Sequence, residues 1–144
     1  MRLLALRPIE RTHPLLINNL LMAKTALSVA IVDDDPSVLK ALARLLRTRA
    51  FVPKTYLSGP QFLASLADGA PDCLIVDLQM PEMTALDLQH DLARKGVKIP
   101  TIIITAYDEA GMRERCQSAG AIAYLSKPVQ AARLFAAIAT AQQN

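Results

Sequence analysis

The feature that most constrains this chain is a rhythm. From Ser28 onward, short apolar runs of strand length alternate with longer stretches whose apolar residues recur at helical spacing. The short runs are SVAIVD, FVPKTY, CLIVD, IPTIIIT and AIAYLS. Between them, Pro36 to Arg49 sets Val38, Leu42, Leu45 and Leu46 against Lys40, Arg44 and Arg47, the pattern of an amphipathic helix. Pro36 suits its first turn, and Asp34 or Asp35 its cap. SGPQFLASLADG, TALDLQHDLARKG, DEAGMRERCQSAG and VQAARLFAAIATAQQ are the other helical segments; Gly111 interrupts the fourth of the five. Strands that alternate with helices predict an α/β domain: a five-stranded parallel sheet with helices on both faces and right-handed crossovers. Pro53 has no N–H to give a ladder, which sends the second strand to an edge. The strand order that follows is 2-1-3-4-5, with ligands expected at the carboxyl ends around strands one and three.

Composition bounds the rest. With 144 residues, 52% of them apolar and 20% charged, the chain suffices for one core of ordinary size. No apolar run approaches the eighteen or so residues of a membrane span, so membrane insertion is not expected. Cys73 and Cys116 lack metal-ligand spacing and read as free, buried thiols in a reducing cytoplasm. The net charge of +3 does not mark a nucleic-acid binder. Arg2, Arg7, Arg11 and Lys24 against Glu10 account for all of it, and the twelve cations and twelve anions that remain cancel. Pro8 and Pro14 break up the N-terminal stretch, which has no convincing signal-peptide pattern. Residues 1–27 are therefore read as an extension, disordered or misassigned with a natural start at Met22, and residues 28–144 as the folded domain. A tail that docks on a partner or on its own domain is the other reading.

The polar residues that close the strands gather into one crevice in this topology. Strand one ends in Asp33-Asp34-Asp35, strand three in Asp77, strand four in Thr105, and strand five runs through Ser126 into Lys127-Pro128. Each alone reads as a turn or cap residue; together at four of five strand ends they read as a site. Neighbouring carboxylates repel, so one takes up a proton or a cation sits among them. A hard dication with oxygen ligands answers that need, and Mg²⁺ is the natural choice. Asp77 then stays ionised and can attack a phosphoryl group. Lys127 and Thr105 are of the types that stabilise the charge on such a group.

IVDDD, LIVDLQMPEM, IIITA and AYLSKP, in that order and spacing, resemble the receiver domain of two-component response regulators over Ser28 to the C-terminus. The resemblance implies a flavodoxin-like receiver fold and a phosphorylation-controlled switch. Asp77 would accept phosphate from a histidine kinase or a phosphotransfer protein. Asp33, Asp34, Asp77 and the backbone carbonyl of Gln79 would hold Mg²⁺. Thr105 and Lys127 would engage the phosphoryl oxygens, Tyr124 would be an aromatic switch, and Lys127-Pro128 would be cis. Output would pass through protein contacts of the fourth helix, fifth strand and fifth helix, including homodimerisation, to an unidentified downstream protein.

Some residues depart from the pattern. Glu82 and Ala85 stand where the family often has small or glycine residues, Gln79 and Tyr107 flank the site at variable positions, and His90 reads as a surface residue. No DNA-binding module follows Gln143-Asn144, so a stand-alone, non-enzymatic receiver is expected. Two other readings compete with it: a docking module independent of phosphate, and a phosphatase with an aspartate nucleophile. The second is disfavoured because Gln79, two residues after Asp77, cannot act as an acid.

Overall fold

The computed structural model describes residues 26–143. The expectations for the N-terminal stretch before Ala26, including the start at Met22, fall outside the described residues. Five strands, β1 (Ser28–Val32), β2 (Val52–Tyr56), β3 (Cys73–Asp77), β4 (Thr101–Thr105) and β5 (Ala121–Ser126), alternate with five α-helices. The helices are α1 (Pro36–Arg47), α2 (Gly59–Ser65), α3 (Ala85–Arg94), α4 (Met112–Ser118) and α5 (Ala131–Gln143), and a 3-10 turn at Leu66–Asp68 extends α2. All neighbouring strands are parallel, in the order β2-β1-β3-β4-β5. This is the flavodoxin-like topology expected. Pro53 lies on the outermost strand, opposite Val29, and the Val52 N–H beside it turns inward to the Leu27 carbonyl at 2.8 Å.

The sheet is buried on both faces, which is why its inner strands are apolar throughout rather than alternating. Val29, Ile31, Cys73, Ile75, Ile102 and Ile104 pack beneath α1 and α5, against Leu39, Leu46, Leu134 and Ile138. Ala30, Val32, Leu74, Val76, Ile103 and Tyr124 face the other way, towards Phe62, Leu88, Leu92 and Cys116. Both cysteines are buried free thiols, and burial pushes the Cys73 thiol up to about 12.

Local chemistry sets the helix bounds. Asp35 caps α1, its carboxylate accepting the Ser37 N–H at 2.9 Å, and Pro36 opens the first turn. The buried stripe of α1 is Leu39, Leu42, Ala43 and Leu46, with Val38 and Leu45 at its half-buried margins; the true face is turned slightly from the expected one. Thr84 and Asp87 form a reciprocal capping box on α3. The fourth helix starts later than its sequence suggests. Gly111 takes a φ of 78°, which an L side chain rarely adopts, so it becomes the residue before the first turn and Asp108–Ala110 stay outside the helix. No helix among the described residues is long and apolar enough to cross a membrane.

Candidate functional site

Four connections bring the site together at the carboxyl edge of the sheet. β1 ends and delivers Asp33, which is wholly buried, followed by the exposed Asp34. Asp33 is held from two sides: its Oδ1 accepts the Asp35 N–H at 2.9 Å, and its Oδ2 accepts from Lys127 Nζ at 2.8 Å. On the adjacent strand, Asp77 is the last residue of β3 and is 6% exposed. Its Oδ1 lies 3.3 Å from the same ammonium nitrogen. Carboxylate oxygens of Asp33, Asp34 and Asp77 all lie within 4.8 Å of one another.

Lys127 reaches this point because its own backbone is anchored. Its N–H donates to the Thr105 carbonyl at 2.7 Å, and the Lys127-Pro128 bond that follows is cis, as expected. Thr105, also buried, lies one residue beyond Ile104, the register partner of Asp77. Its hydroxyl donates to the Tyr107 carbonyl at 2.6 Å and accepts the Tyr107 N–H at 3.1 Å. Thr105 therefore borders the carboxylates but spends its hydrogen bonds on its own loop. On the other side, the Gln79 side-chain amide donates to the Glu109 carboxylate, linking the loops after β3 and β4.

The electrostatics follow from crowding. Burial and the charges of Asp33 and Asp34 push the Asp77 carboxyl above its ordinary value, against the pull of Lys127. Burial works against the charge on Lys127, but its hydrogen bond to Asp33 and the charges of Asp77 and Asp33 prevail and raise it. Asp33 and Asp77 share one ammonium and Asp34 adds a third carboxylate beside them, which leaves an all-oxygen donor set short of positive charge. That set fits a hard divalent cation such as Mg²⁺. A small cleft lined by Asp34, Gly59, Met80, Pro81 and Met83 opens beside it. A larger cleft lies elsewhere, between Gln89, Leu92, Val97, Pro100 and Gly120, and its lining holds no cluster of titratable groups.

Other expected residues lie apart from the carboxylates. Tyr124 is 4% exposed, with its ring buried against the sheet and its hydroxyl without a hydrogen-bond partner among the described residues. His90 is exposed on α3, as expected of a surface residue. Sequence reasoning missed two contacts: Gln79 with Glu109, and Arg113 with Tyr124, whose ring lies under the guanidinium at 4.7 Å. Both join residues of different segments, and neither leaves a local sequence pattern.

A parallel sheet wound on both faces, with its polar groups collected where the strand order reverses, defines the class of α/β domains that work at the carboxyl edge. Within that class the assignment is specific. The chain belongs to the response regulator receiver domain family of two-component systems, whose pattern its residues 29–139 match. Among similar proteins, response regulator protein TmoT of Ectopseudomonas mendocina is 41% identical over 78% of this chain and 51% of its own length. Transcriptional regulatory protein FixJ of Rhizobium meliloti is 33% identical over 83% of this chain and 59% of its own. The chain spans about half the length of the curated relatives it matches. The crystal structure of FixJ-N superposes with a TM-score of 0.76 at 33% identity, covering 82% of this chain and 94% of that one. A receiver protein from Burkholderia phymatum gives 0.71 at 42% identity, covering 80% and 94%.

Proposed function

We propose that this protein is a phosphorylation-controlled signalling switch whose receiver unit, residues 28–144, accepts a phosphoryl group on Asp77. The observation that carries the reading is the meeting of Asp77 with Asp33, Asp34 and the Lys127 ammonium at one sheet edge. The donor would be a phosphohistidine of a histidine kinase or a phosphotransfer protein. An Asp77 oxygen forms the new bond to phosphorus while the bond from phosphorus to the imidazole nitrogen breaks, and the imidazole takes up a proton. Lys127, already 3.3 Å from Asp77, pairs with the incoming phosphoryl oxygens. Thr105 gives up its bond to the Tyr107 carbonyl and donates to the same group. Asp33, Asp34, Asp77 and the Gln79 carbonyl would hold Mg²⁺, which when bound neutralises the carboxylates and the charge spread over the transferring group.

Output is assigned to the face formed by α4, β5 and α5, through contact with a downstream protein or a second copy. Several relatives carry names of transcriptional regulators, which is consistent with such an output. The Gln79 amide cannot protonate a leaving group, so the switch is favoured over a phosphatase. Incubation with Mg²⁺ and acetyl phosphate, followed by intact mass measurement, tests this. One phosphoryl adduct is expected, absent in Asp77→Asn. No adduct would leave only a phosphate-independent docking module, and turnover of many equivalents would indicate an enzyme.

A further inference from the structure

The contact that connects α4 to β5 is unusual for a surface arginine. Arg113 lies in the first turn of α4, and its guanidinium carbon sits 4.7 Å from the centroid of the Tyr124 ring. The same side chain donates through Nη1 to the Tyr124 backbone carbonyl at 3.3 Å. One residue thus grips both the ring and the strand that bears it. The buried hydroxyl makes no hydrogen bond among the described residues, though burial and the nearby Asp108 carboxylate push it up. The start of α4 has no side-chain cap: Gly111 precedes it in a left-handed conformation, and the Met112 N–H donates to the Glu109 carbonyl at 3.1 Å. The loop before Gly111 begins at Thr105 and Tyr107, whose hydrogen bonds close on each other. A rearrangement at Thr105 therefore reaches a helix start without a side-chain cap, and Arg113 is a polar link from that start to Tyr124.

We propose that Arg113 is a positioning residue that holds the Tyr124 ring inside and makes α4 and the ring move as one unit. This rests on the switch reading above for its consequence, but the contact itself can be tested without it. A planar guanidinium both stacks on the ring face and donates in the ring's neighbourhood; a lysine keeps the charge without the flat stack, and a glutamine keeps neither.

The test uses the full chain labelled with 3-fluorotyrosine, its three tyrosine resonances assigned by single Tyr→Phe changes. Without any phosphoryl mimic, Arg113→Gln is expected to move or split the Tyr124 resonance towards a solvent-exposed position, and Arg113→Lys to do so partly. Tyr56 and Tyr107 are expected to stay put. An unmoved Tyr124 resonance in both variants overturns the proposal. The second arm titrates beryllofluoride with Mg²⁺ into wild type, Arg113→Gln, Tyr124→Leu and the double variant. Arg113→Gln is expected to weaken binding roughly three- to tenfold in the wild-type background and hardly at all beside Tyr124→Leu. Equal effects in both backgrounds would show that Arg113 does not act through the ring. If wild type itself takes no beryllofluoride, the switch reading fails while the first arm still decides the role of Arg113.

Discussion

Asp33 and Asp77 share Lys127, but they do not hold it equally. Asp33, fully buried, has the shorter contact at 2.8 Å and a backbone N–H besides, whereas among the described residues Asp77 has only the ammonium at 3.3 Å. Asp77 is thus the less satisfied carboxylate, and its raised pKa is a stability statement. A carboxyl raised above its unfolded-chain value of 3.8 opposes folding once it ionises. That penalty is absent at low pH and grows as pH rises through the folded-state value. Asp77→Asn removes it, so the variant is expected to be more stable than wild type at pH 7 in chelator-treated buffer. The advantage should shrink as pH is lowered towards 3.8. Urea melts at several pH values check both; an advantage that does not change with pH would assign it to packing instead of charge. The gain would come at the expense of function, as is common where an active group is held in a crowded site.

At the scale of elements, the loop from Asp77 to α3 is tied down at its far end by the capping box of Thr84 and Asp87. Thr84→Ala leaves the Asp87 N–H without its side-chain acceptor and is expected to cost about 1 kcal/mol of stability by urea denaturation. Because Thr84 touches none of the carboxylates, the rate of labelling by acetyl phosphate should change far less than the midpoint. Element order, strand order and the carboxyl-edge residues were all legible in the sequence. Periodicity separates strand from helix, Pro53 marks the edge, and strand ends translate position in sequence into position in space. The finer geometry was less legible. The buried face of α1 centres on Leu39 and Ala43 because packing against the sheet sets its rotation, which the apolar pattern leaves ambiguous by about a residue. Gly111 read as an interruption within a helix, yet its positive φ makes it the boundary. Arg113 could not be singled out, since a surface arginine reads alike whether it faces water or a ring one strand away.

For the whole molecule, the site exists only when four separate strand ends are assembled. Any divalent cation that binds those carboxylates together then binds the folded state in preference to the unfolded one. Mg²⁺ at one hundred times its dissociation constant is expected to add about 2.7 kcal/mol of stability. Thermal melts with and without Mg²⁺ measure this, and the Asp33→Asn, Asp34→Asn double variant should lose nearly all of it. Equal stabilisation of the variant would mean that the ion sits elsewhere.

The outer border of the sheet has a consequence for how these molecules behave in a crowd. Since the amide of Val52 points inward to Leu27, alternation along β2 turns the next position outward, and there Pro53 has no hydrogen to offer. A strand from another molecule approaching that border finds a gap in the ladder, beside the apolar surface of Val52 that would otherwise invite it. Pro53→Thr fills the gap, and light scattering of concentrated samples is expected to show faster fibrillar aggregation. One imino acid thus removes a donor from the β2 border at the position where an added strand would pair.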